Sequence, residues 1–521
     1  MATGFQTFNI KTAYEKGGEQ SAPGSPISSS NTGSKASLLV VGIAAILIIA
    51  PTLGNWCSLA PDSFDYLTTA RSLHKTGCYP DYHMMRPPGF PTLIAPLFQF
   101  GDPPLLAIRW LLAASFIVTG ILTTALFHRS LGRFPAMAVG LLTITNSVLL
   151  MQTTVALSEA VFLPIQLAAL IAVERLRRGT SWRCTVVAGL LVACAIMVRT
   201  VGAALVPVAM LAVLCRRGDS WRSRSMHATV FLLAAAVMPL LWHLRQSGFP
   251  AQSGYGRMWT QAMESETTDV TGMSLQLQRF QRFGAERLAD IKRAVVPNHV
   301  GWRAFQGDAS SVITAVVALL VIIACLVRFA IHREPTFAYA LLVLVVVSLW
   351  PWDEGVRLVA PLIPIFCAGL IWLLLTTRGW LGQKGAAAAT VGIALLLAAN
   401  TWETIETLRR LPKVESKAVQ RLATARSFAE TLTRLFPSNA QLICVTEDGS
   451  NAKLTFAGGA YLAKLGNTSY LDLKPETNLE LGKINEEYAA IERAGEFDGF
   501  DRIGTKAMFV GDEFVIIRID R

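Results

Sequence analysis

Charged residues are scarce in this chain. They make up 16% of its 521 residues, whereas 52% are hydrophobic and the mean hydropathy is +0.43. A soluble domain cannot bury that much apolar surface, so this scarcity and the repeated apolar runs predict a polytopic helical membrane protein. The net charge of +11 does not predict nucleic-acid binding, because most of the basic excess lies in short loops between apolar runs, where membrane topology explains it.

The chain also lacks the patterns of several other protein classes. Its histidines and its eight cysteines have no metal-ligand spacing, so we predict no metal site and no required cofactor; a divalent metal stays an open alternative that no residue pattern supports. No internal repeat is visible, which argues against the pseudo-symmetric architecture of many transporters. Cys57 and Cys78 flank a polar loop and are either two free thiols, which we favour, or a disulfide.

Apolar runs of spanning length predict about eleven transmembrane helices. Two of them are short and are divided by Arg199; basic clusters flank this segment at both ends, so we predict that it crosses the membrane twice. The predicted spans lie near 37–54, 105–127, 134–150, 155–173, 185–198, 201–215, 228–244, 310–327, 336–350, 358–377 and 385–402.

The distribution of basic residues predicts the orientation. The short loops on one side of the predicted spans hold fourteen Lys or Arg residues, and those on the other side hold two. By the positive-inside rule, the richer side faces the cytoplasm. We therefore expect a cytoplasmic N-terminus and a C-terminal segment on the outer side.

This topology divides the chain into three parts. Residues 1–36 are rich in Ser, Gly and Pro and predict a disordered cytoplasmic tail. Residues 37–404 form the predicted transmembrane domain, with long outer loops at 55–104 and 245–309. Residues 405–521 are more polar and are expected to form a small α/β domain outside the membrane.

Local patterns within the last part support that expectation. Residues 414–436 favour a helix that ends at Pro437. The stretch 441–445 has the composition of a buried strand. The stretches 507–510 and 513–519 predict the two strands of a hairpin, because a Gly-Asp pair separates them.

The first outer loop carries the residues with the most distinctive chemistry. Asp62, Asp65 and Tyr66 are spaced by three and four residues, so they share one face of a helix. The stretch 64–73 is amphipathic, which favours a helix lying on the membrane surface. Asp62 would either cap this helix or take part in catalysis, and we favour catalysis because an arginine, Arg86, follows in a rigid Pro-Pro turn.

Further motifs extend this pattern along the chain. They are Asp62-Ser63-x-x-Tyr66, Gly77-x-Tyr79 and Arg86-Pro-Pro-Gly-Phe-Pro in the first outer loop, then Ser158-Glu159, then Pro239 to Arg245, and then Arg357-Leu358-x-x-Pro361-Leu362-x-Pro364. Together, these motifs resemble those of GT-C membrane glycosyltransferases, above all the protein O-mannosyltransferase and aminoarabinose-transferase group. The resemblance covers residues 37–400, and the long spacing of the first-loop motif makes it specific.

The resemblance implies an inverting glycosyltransferase whose donor is a sugar joined to polyprenyl phosphate. Asp62 would take the proton from the acceptor hydroxyl, as a carboxylate does toward water in inverting glycosidases. Arg86, with Arg245 and Arg357 as further members, would bind the donor phosphate. Glu159 would belong to the catalytic residues and either orient the acceptor or pair with an arginine.

The resemblance also implies the remaining site residues and the partners. Asp65, Tyr66 and Tyr79 would line the substrate pocket. The partners would be the polyprenyl-phosphate-linked sugar, a lipid, glycan or protein acceptor, and membrane lipids, with no nucleic acid. The expected fold is a GT-C bundle of about eleven membrane helices with amphipathic outer-loop helices, in a bacterial inner membrane.

Two other functions remain open at this point. An oligosaccharide ligase would keep the outer-loop carboxylate and the cations but would use a lipid-diphosphate donor. A transporter is supported only by the number of spans, since transporters carry charges and broken helices at mid-membrane and this chain concentrates its unusual residues in long outer loops.

Overall fold

The structure is a computed structural model in which almost every described element is helical. It describes residues 30–54, 57–80, 84, 86–179, 181–216, 218–249, 273–296, 308–350, 355–435, 441–446, 468–472, 505–510 and 514–519. The α-helices are α1 Ser30–Ile49, α2 Pro61–Thr76, α3 Gly89–Ile94, α4 Leu105–Leu131, α5 Arg133–Ile144, α6 Ser147–Gln152, α7 Glu159–Arg177, α8 Trp182–Val198, α9 Leu205–Leu214, α10 Trp221–Gln246, α11 Met273–Val295, α12 Asp308–His332, α13 Pro335–Ser348 and α14 Ile363–Leu435.

Six stretches of these helices are long and apolar enough to cross a membrane, judged by length and composition over the described residues. They are Lys35–Thr52, Leu105–Leu131, Trp221–Gln246, Ala315–His332, Ala360–Arg378 and Trp380–Pro412. The other predicted spans coincide with shorter helices or with α7. The prediction of a polytopic helical membrane protein is therefore confirmed, whereas the exact count of eleven spans stays a prediction.

Several predicted boundaries differ from those in the structure. Helix α1 begins at Ser30 rather than near residue 37, because polar residues can extend a helix that an apolar run has already nucleated. The remainder of the predicted tail lies outside the described residues. The loop predicted at 378–384 is reduced to a break at Gly382, whose φ of 57° is accessible to glycine. Helix α14 then runs without a second loop to Leu435, so the predicted helix at 414–436 is its continuation.

The first outer loop is anchored by a hydrophobic core of its own. Phe64 and Leu67 of α2 are buried together with Phe90 of α3, Leu112 of α4 and Val161 of α7. The apolar stripe of α2 thus packs on protein, which corrects the prediction that it lies on the membrane surface. Intramolecular packing wins because α3 and α4 bring enough apolar surface to cover the stripe. This core holds α2 rigidly beside the start of α7.

The last described elements form a four-stranded sheet. Its strands are β1 Gln441–Thr446, β2 Thr468–Asp472, β3 Thr505–Val510 and β4 Phe514–Ile519. Their order is β2-β1-β4-β3, with β1 parallel to β2 and antiparallel to β4. Strands β3 and β4 pair antiparallel, so the predicted strand and hairpin are confirmed, although the predicted turn lies outside the described residues. The location of this sheet outside the membrane stays a prediction.

Candidate active site

Two loops that are far apart in sequence are pinned together ahead of the candidate catalytic residues. Ser58 pairs with Val155 as an isolated parallel bridge, in which the Ser58 amide donates to Thr154 O at 2.7 Å and the Ala156 amide donates to Ser58 O at 3.0 Å. The same segment is fixed from α4, because the buried guanidinium of Arg109 donates to Thr153 O at 2.8 Å. These contacts bring the start of α2 beside the start of α7.

A glycine allows the Pro-Pro turn to lie against the end of α8. A Cβ atom on Gly89 would lie 2.5 Å from the carbonyl oxygen of Met197 and 2.9 Å from the amide of Val198, closer than any side chain allows. Gly89 follows Arg86-Pro87-Pro88, so this close approach places Arg86 near the end of α8. The next residue there, Arg199, has an extended backbone. The break between the two short predicted helices therefore faces the first outer loop.

Six charged side chains meet at this junction, and we call them the arginine–carboxylate cluster: Asp62, Asp65, Arg86, Glu159, Arg199 and Arg357. Asp62 is its centre. One of its oxygens accepts from Arg86 Nη2 at 2.6 Å, and the other accepts from Arg357 Nη2 at 3.0 Å. Both oxygens are thus occupied by guanidinium groups, and the side chain is 23% exposed. Since the cluster contains three arginines and three carboxylates, its formal charge is zero.

Glu159 binds two of the three arginines, Arg199 and Arg357. Its Oε1 lies 2.6 Å from Arg199 Nη1 and also accepts from Arg357 Nε, and its side chain is only 1% exposed. Burying a carboxylate costs free energy unless it is paired, and the two guanidinium groups offset that cost for Glu159. The prediction that Glu159 pairs with an arginine is borne out by these contacts. Arg199 also donates to Ser158 Oγ at 3.4 Å.

The segment that carries Arg357 is supported by the amphipathic helix α11. The buried Arg287 pairs with the buried Asp290 at 2.7 Å. Arg287 also donates to the carbonyl oxygen of Gly355 at 3.2 Å. This contact fixes the short 3₁₀ turn Gly355–Arg357. Helix α11 lies in the predicted second outer loop, so that loop contributes to the site by positioning Arg357.

The helix that begins at Pro61 is not capped by Asp62, which was the alternative to a catalytic role. Its N-cap is Ala60, whose amide donates to Ser63 Oγ at 2.9 Å, so Ser63 performs the capping expected of Asp62. The Asp62 carboxylate instead binds Arg86 and Arg357, whose positive charges attract it. These contacts argue against the alternative in which Asp62 caps the helix, and its catalytic role stays a prediction.

Tyr66 and Asp65 flank the cluster in different ways. The buried Tyr66 hydroxyl hydrogen-bonds Ser158 Oγ at 3.1 Å, and the Arg86 guanidinium lies 5.5 Å from the centre of the Tyr66 ring. Asp65 meets Arg86 Nε at 3.3 Å, but 65% of its side chain is exposed. Desolvation by the surrounding loops raises the pKa of Asp65; Arg86 opposes this shift and the charge of Asp62 adds to it.

A cavity of about 450 Å³ opens beside the cluster, and we call it the arginine cavity. Arg86, Arg199 and Arg357 line its polar part, together with Tyr66. Its remaining walls are mostly apolar; α9 and α13 contribute Pro207, Leu342, Val346 and Val347, and Trp350 lies next to them. Because the arginine cavity has three guanidinium groups on one side and apolar walls elsewhere, it suits a ligand with an anionic headgroup and an apolar chain.

Two predicted site residues lie in a separate group. The Arg245 guanidinium packs over the rings of Tyr79, Trp242 and Phe249 at 5.1–5.4 Å. It donates to the carbonyl oxygens of Tyr79 and Pro80, at 3.3 and 2.8 Å. Tyr79 also hydrogen-bonds Thr92 Oγ1 at 2.7 Å. The structure therefore brings Arg245 and Tyr79 to each other, and neither lines the arginine cavity; the phosphate-binding role of Arg245 stays a prediction.

Sequence reasoning missed two residues of the site. Arg199 was interpreted only as the divider of two short spans, although an arginine at the outer end of such a pair is the signal that could have identified it. Arg287 lies among several other charged residues of α11, and no local pattern marks it as buried. Cys78 is an exposed free thiol, as we favoured, and Cys57 is buried.

The comparisons with known proteins agree with the resemblance seen in the motifs. Residues 85–243 match the family described as dolichyl-phosphate-mannose-protein mannosyltransferase. No curated protein sequence matches the chain significantly.

Similar solved structures include ArnT from Cupriavidus metallidurans in the apo state, with a TM-score of 0.52, 13% identity, and coverage of 92% of this chain and 97% of that chain. ArnT from the same organism bound to undecaprenyl phosphate has a TM-score of 0.49 and 12% identity, with coverage of 93% of this chain and 97% of that chain. A third structure is the oligosaccharyltransferase AglB from Archaeoglobus fulgidus in complex with an inhibitory peptide and a dolichol-phosphate. Its TM-score is 0.48 and its identity is 10%, with coverage of 82% of this chain and 63% of that chain. We base the fold assignment on the first of these alone. Over residues 85–243 the chain is thus similar to this mannosyltransferase family, and its fold is similar to that of ArnT.

Proposed function

We propose that this protein transfers a sugar from a polyprenyl-phosphate donor to an acceptor hydroxyl at the membrane surface, with inversion at the anomeric carbon. The observation that carries the proposal is the arginine cavity, in which three arginines adjoin both a carboxylate and an apolar wall. A phosphate bound by these arginines would leave its polyprenyl chain against α9 and α13. The anomeric carbon would then lie near Asp62.

The three arginines of the cavity are the proposed ligands of the donor phosphate. Arg86 and Arg357 reach it from opposite sides of Asp62, and Arg199 reaches it from the end of α8. Guanidinium groups bind phosphate with two parallel hydrogen bonds. These bonds fix the orientation of the phosphate, and the positive charge balances its negative charge. The leaving group becomes more negative as the glycosidic bond breaks, so cations placed there stabilise the transition state more than the bound donor.

Asp62 is the proposed general base, and donor binding makes it available. In the structure both of its oxygens accept from arginines, so both face guanidinium groups rather than an acceptor. A donor phosphate that takes over some of these guanidinium N–H groups releases one carboxylate oxygen. The acceptor oxygen then bonds to the anomeric carbon, its proton goes to Asp62, and the electron pair of the broken bond stays on the phosphate oxygen. Acceptor activation is thereby coupled to the presence of the donor.

Glu159 and Tyr66 are proposed to position the cluster rather than to touch the reacting atoms. Glu159 is buried and holds Arg199 and Arg357 through one oxygen, so it sets where these cations lie. Tyr66 supports Arg86 with its ring and is itself held by Ser158. Rigid support of this kind matters because a displacement of about 1 Å at a catalytic group can cost on the order of a hundredfold in rate.

The proposal is tested by the release of free polyprenyl phosphate from a labelled donor. Purified full-length protein is mixed with polyprenyl-phosphate donors carrying several different sugars, with a membrane extract as the source of acceptor. We expect release by the wild type with at least one donor, and release slowed by at least about a hundredfold in Asp62→Asn. Failure of the wild type with every monophosphate donor would overturn the proposal. Release of polyprenyl diphosphate from a diphosphate donor instead would favour the oligosaccharide ligase.

A further inference from the structure

A second cavity, of about 540 Å³, lies at the far ends of the helices that form the arginine cavity. Arg177 and Arg178 at the end of α7, Leu211 and Cys215 at the end of α9, and Arg333 before α13 line it. We call it the basal cavity. Helix α7 starts at Glu159 and has 19 residues, so at 1.5 Å per residue it separates the two cavities by about 28 Å. That is close to the thickness of a hydrocarbon core, so the two cavities lie at opposite membrane faces.

The basal cavity has a basic rim whose charges are only partly neutralised. Arg177 pairs with Glu174 at 3.4 Å and donates to His332 O at 2.9 Å, so it is fixed within the protein. By contrast, neither Arg178 nor Arg333 has an ion pair or a side-chain hydrogen bond to any described residue, and both are exposed. Two positive charges at the rim are therefore left for an anion from outside.

Nearby arginines differ from these two because the protein supplies their counter-ions. Arg328 is buried and pairs with Glu334, and Arg216 is buried and pairs with Asp219 at 3.3 Å. The fold thus neutralises the basic side chains beneath the cavity and leaves the two at its mouth unneutralised. Arg333 is also the one non-glycine residue with a positive φ, 52°, among the described residues, and this backbone sets it in the turn between α12 and α13.

Below the rim, the walls of the basal cavity are apolar. Leu211, Ala212, Phe329 and Ile331 face it, and Leu211 and Ile331 are exposed. A free anion would gain nothing from such walls, whereas a phospholipid would bury the upper part of its acyl chains there. Basic pockets between membrane helices at the surface of a leaflet are suited to anionic lipid headgroups.

We propose that the basal cavity binds an anionic phospholipid, with Arg178 and Arg333 on its headgroup phosphate and the apolar walls on its acyl chains. This lipid belongs to the leaflet opposite the donor site. The site is independent of the proposed transferase reaction, because none of its residues lies in the arginine–carboxylate cluster.

The test measures how tightly the purified full-length protein retains phosphatidylglycerol, reconstituted from mixed phosphatidylglycerol–phosphatidylcholine vesicles and quantified by mass spectrometry. The double variant Arg178→Gln, Arg333→Gln is expected to bind phosphatidylglycerol about 25-fold more weakly, since each arginine near an anionic headgroup contributes a factor of about five. Phosphatidylcholine retention should not change. Cys215→Trp, which fills the apolar part without removing a charge, should also lower retention.

The chain offers a matched control for the two arginines. Arg175 and Arg183 are exposed, lie in the same basic stretch and do not line the cavity. Their double replacement by glutamine removes the same charge and should leave retention within about twofold, because exposed charges away from the site are screened. Equal losses in both double variants, or none in either, would overturn the proposal. Displacement of the lipid by excess inorganic phosphate would overturn its lipid part.

Discussion

The substitution Glu159→Gln separates a positioning role for this residue from a role in acceptor binding. The glutamine keeps the shape of the side chain but removes the charge that holds two guanidinium groups in a site that is 1% exposed. Removing one partner of a buried ion pair typically costs about 3–5 kcal/mol in the free energy of unfolding. Arg199 and Arg357 are 18% and 23% exposed, so water compensates part of this loss, and we expect about 2 kcal/mol.

The kinetic effect is expected to differ from the effect on binding. Arg199 and Arg357 remain in the variant, and the cluster gains one net positive charge, so the Kd for polyprenyl phosphate should stay equal or become lower. The transfer rate at saturating donor should fall by about a hundredfold, because the two cations are no longer held where the leaving-group charge develops. Single-turnover transfer and equilibrium binding of polyprenyl phosphate, measured on the same preparation, test both statements.

A control variant is available on the same helix. Glu174 lies near the other end of α7, pairs with Arg177 at 3.4 Å and accepts from Thr336 at 3.2 Å. Glu174→Gln should lower the stability but leave the transfer rate unchanged. The positioning role of Glu159 would be refuted if Glu159→Gln raised the acceptor KM alone while single-turnover donor cleavage stayed at the wild-type rate.

Three further predictions follow from the same geometry. Asp62→Asn should slow transfer by about a hundred- to ten-thousandfold, whereas the exposed Asp65, with one 3.3 Å contact, should tolerate the same change, as measured by product formation; equal rates would reject the base assignment. Tyr66→Phe loses its bond to Ser158 and should cost about 1 kcal/mol in thermal-unfolding measurements, and an unchanged stability would contradict this bond. A reporter active only outside the cytoplasm, fused after Arg521, should give signal, and a silent one would reject the predicted orientation.

Much of the helical framework could be predicted from the sequence, because each apolar run must form its own backbone hydrogen bonds in a membrane. The wrong predictions arose where the structure depends on contacts between distant segments, which a local sequence pattern does not contain. Whether an amphipathic stretch such as that of α2 lies on lipid or on protein depends on the partner surface, which no local pattern contains. Gly382 interrupts α14 at a single residue, and composition alone cannot distinguish such a break from a loop.

The site could be predicted as a set of residues but not as an arrangement. Motifs identified Asp62, Arg86, Glu159 and Arg357, and the structure brings all four together, although Asp62 and Arg357 are 295 positions apart. Arg199 was missed because its meaning depends on Glu159, which packs beside it only after folding. Conversely, the motif that contains Arg245 did not reveal that its side chain stacks on aromatic rings.

The most direct test of the account is the single-turnover rate of polyprenyl-phosphate release at saturating donor in Arg86 variants. Arg86 binds Asp62 at 2.6 Å and lines the arginine cavity, so it is proposed to meet both the base and the donor phosphate. Arg86→Ala should slow release by about a hundred- to a thousandfold, and Arg86→Lys should recover part of the rate, because an ammonium keeps the charge but loses the two-pronged geometry. Release at the wild-type rate by Arg86→Ala would contradict the claim that these arginines bind the leaving phosphate.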